Sequence, residues 1–496
     1  MEPLYLADTI RKAEQPLIDA QSTPDALMRT AASSVARKAL ELVTRESARL
    51  VLLVGSGGNG GDALYAGADI LNEMEAWFVD AVLCSDRIHE PALEAFREAG
   101  GRVIALDELS DYALAIDGIV GIGGSGPLRG EAADAVASLS KAGVPVLAVD
   151  VPSGIAADTG LASEPHVGAD HTITFGGLRR AHGLSAHCGE VTLVDIGLDG
   201  QPCLGEILRG SEQDTVSLIR ALEDPIEVPR LEPDPEDDKY TGGVVSICAG
   251  SATYPGAGVL TTTAAVRATS AMVRYIGSCR EEVVRALPEV VAHDTIQDSG
   301  RCQAWVVGPG RGTDAAAASE LRYILSKPEP VLIDADGLTL LANHPDLVES
   351  IRSREGATIL TPHKGEFARI AAALALDLTA DPITDTRAMA ADLGAIVLLK
   401  GRSTVITTPE GTTTVVDAGC SWAATPGSGD VLSGLAGAWV ARMGTSGSKS
   451  FEAVVLATVI HATAAYVAAQ TEYGPAPTSA SLIAEAIRPA TAAVAV

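Results

Sequence analysis

Short apolar runs alternate with stretches of helical spacing along most of this chain. Leu50-Val51-Leu52-Leu53-Val54 has no polar interruption, the mark of a strand buried on both faces. It runs into Gly55-Ser56-Gly57-Gly58-Asn59-Gly60-Gly61-Asp62 and an apolar helix predicted from Ala63 to Leu71. Before it, a helical pattern enters at Pro24 and continues to about Leu42. Strands are predicted again at Val79–Leu83, Arg102–Ala105, Ala113–Val120 and Val144–Val149, with helices at Pro91–Ala99 and Glu131–Lys141 between them. Such alternation builds a parallel sheet with right-handed crossovers.

The second half repeats the scheme. A strand at Val244–Cys248 delivers a glycine loop, 249–258, to a long helix of small residues. Apolar runs then end in polar or glycine loops at Gly308-Pro309-Gly310-Arg311-Gly312, Asp334-Ala335-Asp336-Gly337, Thr361-Pro362-His363-Lys364-Gly365-Glu366 and Lys400-Gly401-Arg402-Ser403-Thr404. The last loop, Thr425-Pro426-Gly427-Ser428-Gly429-Asp430, opens onto an apolar run with helical spacing. Between the halves, 223–238 holds four prolines among like charges, so it reads as an extended acidic linker. The predicted organisation is α/β throughout: a Rossmann-like αβα domain over 1–222, the linker, and a second α/β domain over 239–496.

Composition fits this picture. Of 496 residues 47% are hydrophobic but only 4% aromatic, which suits parallel sheets wrapped by small-residue helices. No apolar run reads as a membrane span, and no basic-then-apolar leader opens the chain, so a cytoplasmic protein is expected. Seven cysteines without a CxxC pair indicate neither a disulfide framework nor a zinc site. A net charge of −28 argues against nucleic acid, which demands a basic stripe. It leaves room for small phosphorylated ligands, because glycine loops at helix starts attract anions with backbone N–H groups instead of side-chain cations.

Those loops carry the candidate chemistry. Gly427, Ser428 and Gly429 form a seat for phosphate, and Asp430 beside it is out of place unless it handles a proton, which makes it a candidate general base. In an open parallel sheet, ligands sit beyond the carboxyl ends of the strands, so the loops at 55–62, 117–127 and 149–154 should converge. Asn59, Asp117 and Ser153 offer only oxygen ligands, suited to a hard or alkali cation and not to zinc.

The motifs also carry a resemblance. GNGGD at 58–62, DGIVGIGGSGP at 117–127 and DVPSG at 150–154 resemble the NAD(P)H-hydrate (NAD(P)HX) epimerases over about residues 1–215. That resemblance implies a potassium ion on Asn59, Asp117 and Ser153. It also implies contacts to a hydrated nicotinamide nucleotide from Gly58, Asn59, Gly60, Gly61 and Asp62, from Gly121, Ile122, Gly123, Gly124, Ser125, Gly126 and Pro127, and from Asp150, the candidate catalytic carboxylate there. KYTGG, GSATYPGAG, VVGPGRG, LIDADGL, TPHKGEF, LKGRST and PGSGD, within 235–495, resemble the ribokinase-like ADP/ATP-dependent NAD(P)H-hydrate dehydratases. Here the resemblance implies adenine-nucleotide contacts at Lys400, Gly401, Arg402, Ser403, Thr404, Gly427, Ser428 and Gly429, with magnesium accompanying ADP or ATP. The repair substrate would face Ala257, Gly312, Thr361, Pro362, His363, Lys364, Gly365, Glu366, Phe367 and Asp430. Small-molecule partners and a homo-oligomer are expected.

Two rivals remain at this point. Vitamin and sugar kinases share Gly-x-Gly-Asp, although TPHKGEF resembles the dehydratases. A non-enzymatic nucleotide sensor would keep the loops without turnover.

Overall fold

Strand pairing in the computed structural model follows the alternation of apolar runs; residues 1–108, 111–124, 126–211, 216–444 and 446–495 are described. The chain divides into two compact units, Glu2–Val216 and the remainder from Ser217 onward.

In the first unit seven parallel strands lie in the order Arg102–Val103, Phe78–Leu83, Arg49–Val54, Leu114–Gly118, Val146–Val149, His171–Phe175 and Glu190–Val194. Side chains alternate across a strand, and the central run shows it. Leu50, Leu52 and Val54 join a core with Ile10, Leu64 and Phe96, while Val51 and Leu53 join another with Ile119 and Leu139. Helices Ala26–Leu42 and Gly58–Glu73 supply the first core and Gly130–Ala142 the second, giving the expected three αβα layers.

Three local expectations change. Helix Ala7–Ala20 was hidden because Pro16 lies inside it and its buried residues, Ala7, Ile10, Ala13 and Leu17, form a narrow stripe among charges. The predicted strand 102–105 keeps only Arg102–Val103, both exposed, before a 3₁₀ turn at Leu106–Glu108. The glycines at 58–61 are not a loop: the helix begins at Gly58, so Asn59 and Asp62 lie on its first turns. Gly60 and Gly61 serve close approach rather than left-handed turns. A β-carbon at Gly60 would stand 2.2 Å from the Gly55 carbonyl oxygen.

In the second unit the parallel order is Val291–His293, Val273–Ile276, Val245–Cys248, Ala304–Val307, Val331–Ile333, Thr358–Leu360 and Ile396–Leu399. The antiparallel pair Ser403–Thr407 and Thr413–Asp417 extends it. The five predicted strand ends therefore fall along one edge. Helix Ser428–Met443 packs against Pro255–Ala268, and Gly447–Ala469 packs against Ala480–Val494. Contrary to the expectation that no run is long enough, Gly447–Ala469 has the length and apolarity to cross a membrane, with 72% of its most apolar window buried inside the fold. It is the sort of all-round apolar helix that a core encloses. The acidic stretch 223–238 forms neither helix nor strand, yet Ile226 and Val228 pack against the second unit's core. All seven cysteines are free thiols.

Candidate active sites

The helix start at Gly58, the turn after Leu114–Gly118 and the turn after Val146–Val149 surround a cavity of about 610 Å³ in the first unit. Gly58, Asn59, Asp62, Gly121, Ile122, Gly123 and Asp150 line it. Gly60 and Gly61 are buried beneath the helix start, Gly124, Gly126 and Pro127 are not on the wall, and Ser125 lies outside the described residues. Asp150 has a left-handed backbone, φ 70, a costly state for a non-glycine residue. Its conformation is held from several sides: Arg179 Nη2 lies 2.7 Å from Oδ1, and Thr174 Oγ1 donates to Oδ1 at 3.0 Å. His182 Nε2 meets the Asp150 carbonyl oxygen at 2.8 Å.

Arg179, 1% exposed, escaped the sequence reading. Its only signal was a charged pair, Arg179-Arg180, directly after the buried Gly176-Gly177-Leu178 turn. Glu14 and Arg11, from the unpredicted helix, also face the cavity, and Arg11 Nη2 donates to the Ile122 carbonyl at 2.9 Å.

Beneath the cavity wall, Asp117 and Ser153 are both 1% exposed. Ser153 donates to Asp117 through N at 2.8 Å and through Oγ at 2.7 Å, and Val120 N donates to Ser153 Oγ at 2.9 Å. Asn59 Nδ2 donates to the Val149 carbonyl at 2.6 Å, which leaves Asn59 Oδ1 as a free acceptor. Burial pushes the Asp117 carboxyl up, and among the described residues no Lys or Arg pairs with it. A buried carboxylate without a cation, beside hydroxyl, amide and carbonyl oxygens, is a donor set that fits an alkali ion. Among the described residues no group of three or more His, Cys, Asp or Glu gathers as a metal site.

In the second unit Gly427 adopts φ 84 and Ser428–Met443 starts directly after it, so the predicted phosphate seat falls at a helix N-terminus and Asp430 lies in the first turn. Lys400, Gly401, Arg402, Thr404, Ser428 and Gly429 share a cavity of about 280 Å³; Ser403 and Gly427 flank it. Asp334, 1% exposed, receives Lys400 Nζ at 2.8 Å and Ser433 Oγ at 2.7 Å. It is therefore no helix cap but the anchor of the lysine. Burial, reinforced by the charge of Asp334, pushes the Asp430 carboxyl up to about 6; Lys400 opposes this and Asp336 adds to it. His461 lines the same cavity, with Nε2 at 3.0 Å from both the carbonyl and Oγ of Ser428. Burial pushes its imidazole down to about 4, so it stands neutral.

The predicted repair-substrate residues are distributed less evenly. Gly312 N donates to Asp336 Oδ2 at 2.8 Å. His363 caps helix Lys364–Ala373, its own N donating to Glu366 Oε2 at 2.9 Å, and Lys400 N donates to the Pro362 carbonyl at 2.8 Å, which ties the segment to the strand end that carries Lys400. Thr361 and Phe367 are 0% and 4% exposed and belong to the packing beneath.

Each unit thus brings a helix start to a cavity at the strand ends, with Asp150 on the wall of the first and Asp430 in the first turn of the helix at the second, where α/β folds hold their ligands. Comparison with known proteins makes the class specific. Residues 245–488 match the family model described as NAD(P)H-hydrate dehydratase, and 24–181 match that of the YjeF-related protein N-terminus. The bifunctional NAD(P)H-hydrate repair enzyme Nnr of Corynebacterium glutamicum is 44% identical over 100% of this chain and 99% of its own. That of Mycobacterium leprae is 48% identical over 100% of both. The crystal structure of the ADP/ATP-dependent NAD(P)H-hydrate dehydratase of Bacillus subtilis, obtained with ATP and magnesium, covers 53% of this chain and 94% of its own, at 23% identity and a TM-score of 0.44. The chain belongs to the family of bifunctional NAD(P)H-hydrate repair enzymes, and carries both an epimerase and a dehydratase part.

Proposed function

We propose that residues 1–222 interconvert the R and S epimers of hydrated NADH and NADPH. On this reading 223–238 is a connecting segment, and 239–496 dehydrates the S epimer at the expense of ADP or ATP. The observation that carries the dehydratase half is Asp430 in the first turn of a helix whose N-terminus opens the nucleotide cavity.

Hydroxide is a poor leaving group, and phosphorylating the substrate hydroxyl turns dehydration into loss of phosphate, with the ring nitrogen supplying the electron pair. Asp430 accepts the hydroxyl proton as the oxygen attacks the terminal phosphate, and the amides of Gly427, Ser428 and Gly429 stabilise the charge that builds there. Lys400, braced by Asp334, and Arg402 attract the nucleotide's phosphates. Magnesium, when bound with the nucleotide, supplies counter-charge to the phosphates. In the epimerase half, Asp150 is the base and the 58–62 helix start seats the nucleotide. Asn59, Asp117 and Ser153 would hold potassium, whose positive charge answers the buried Asp117 carboxylate.

Purified protein given mixed epimers of hydrated NADH with ADP or ATP is expected to restore the NADH absorption band from both epimers. A stable phosphorylated product would indicate a small-molecule kinase instead. Because Asp430 must be ionised to accept a proton, kcat/KM for dehydration is expected to hold above pH 7 and to fall tenfold per unit below about 6. A profile flat to pH 5 would exclude Asp430 as the base.

A further inference from the structure

The epimerase cavity holds more carboxyl groups than one base requires. Besides Asp25, which faces His89, the carboxyls of Glu14, Asp62 and Asp150 line it, against the cations Arg11 and Arg179. A dinucleotide brings two phosphates of its own, so a cavity with all three carboxyls ionised would repel its ligand. The three are not equivalent. Asp150 is engaged by Arg179 Nη2 at 2.7 Å and by Thr174 Oγ1 at 3.0 Å. The carboxyl of Asp62 takes part in no hydrogen bond and no ion pair among the described residues, and neither does that of Glu14.

Resting on the assignment of Asp150 as the base, we infer that Asp62 is the proton donor that Asp150 needs as its counterpart: one carboxyl expels the substrate hydroxyl as water while the other receives the proton of the water that returns. The bond changes balance. Asp62 protonates the hydroxyl on the carbon next to the ring nitrogen; the C–O bond breaks, its electron pair leaves with the water, and the nitrogen lone pair forms C=N⁺. Water then adds to the opposite face, its oxygen forming the new C–O bond and its proton passing to Asp150, while the C=N⁺ pair returns to nitrogen. The stereocentre is inverted and no redox partner is needed. In the reverse direction the two carboxyls exchange roles, as microscopic reversibility demands of an epimerase. Two carboxyls in one cavity, one paired with an arginine and the other without a partner among the described residues, suit such a division of labour.

The electrostatics agree. Burial first, then the charges of Asp150 and Glu14, push the Asp62 carboxyl well up. Glu14 is itself raised by burial, with Arg179 and Arg11 opposing and Asp150 adding to the rise. The charged groups around Asp62 are therefore Glu14 and Arg11 from helix Ala7–Ala20, Asp150 after strand Val146–Val149, and Arg179. Asp25, paired with His89 at 3.5 Å, stands on the same side.

The test uses the full-length protein and purified R and S epimers, with epimerisation followed in both directions by chromatography and corrected for the uncatalysed rate. Asp62→Asn is expected to lower kcat about a hundredfold or more, with KM changed less than about threefold and ADP-driven dehydration of the S epimer unaltered. Glu14→Gln is expected to stay active but to bring the alkaline limb of kcat/KM down by about one pH unit, since removing a neighbouring negative charge eases ionisation of Asp62. Wild-type turnover in ¹⁸O-water is expected to place ¹⁸O on the inverted carbon with each event. An Asp62→Asn enzyme with normal kcat, an unmoved alkaline limb in Glu14→Gln, or inversion without ¹⁸O would each overturn the inference. Loss of kcat in Asp150→Asn alongside a normal Asp62→Asn would defeat this inference only. Full activity in Asp150→Asn would instead defeat the assignment of the base on which it rests.

Discussion

Asp430→Asn is expected to lower nucleotide-driven recovery of NADH by about 10²–10⁴-fold, with nucleotide affinity near normal and epimerisation intact. The same substitution should stabilise the second unit. In the folded state the Asp430 carboxyl is raised to about 6 from 3.8, so the folded chain binds its proton more tightly than the unfolded chain. Stability from this group is present at low pH, declines as pH rises through that window, and is a full penalty above about 6. Removing the charge at pH 7.5 should therefore return about 1–2 kcal/mol, allowing for the side chain's partial exposure, and raise the melting temperature by a few degrees. A variant that is both inactive and more stable is what a carboxylate kept for chemistry predicts. One that is inactive and less stable would point to a structural role for Asp430. Retained activity would remove it from the mechanism.

Arg179→Met should be the most damaging single change in the first unit. Arg179 and Asp150 are buried together at 2.7 Å, and deleting one member strands the other's charge, at a cost of about 3–5 kcal/mol. Arg179 Nη1 also donates to the Phe175 carbonyl at 2.9 Å and to that of Gly177, bonds that pin the turn after strand His171–Phe175. Epimerisation is expected to vanish, while dehydration of the S epimer by the other unit continues. The variant's melting temperature should fall accordingly. Asp150→Asn strands the buried Arg179 charge in turn, and should abolish epimerisation with a comparable loss of stability. An Asp150→Asn variant of unchanged stability would mean that the charge on Asp150 is not what Arg179 answers.

Much of this architecture was readable from apolar periodicity, because parallel strands buried on both faces leave uninterrupted runs such as 50–54 and 396–399. The strand-end loops announced themselves through glycine and Asp, and the placement of Asp430 at a helix start followed from that grammar. What escaped was set by tertiary contact. Helix Ala7–Ala20 shows too narrow an apolar stripe to stand out around Pro16, so Glu14 went unnoticed. Asp334 was legible only as part of a strand-end loop, since nothing local reveals that a lysine 66 positions later reaches it. His461 sits in the middle of an apolar helix, where only its two contacts to Ser428 distinguish it from a packing residue. Gly58–Asp62 looked like a loop because glycine is a poor helix former; here the close approach of Gly55 and Gly60 outweighs propensity.

The enclosed helix Gly447–Ala469 has a bearing on how the protein is made. Part of its greasy surface is covered by Ala480–Val494, a segment that leaves the ribosome after it. Until that cover arrives, a nascent chain displays a stretch that bilayers and chaperones would both accept, so the vulnerable moment in biogenesis comes late in synthesis.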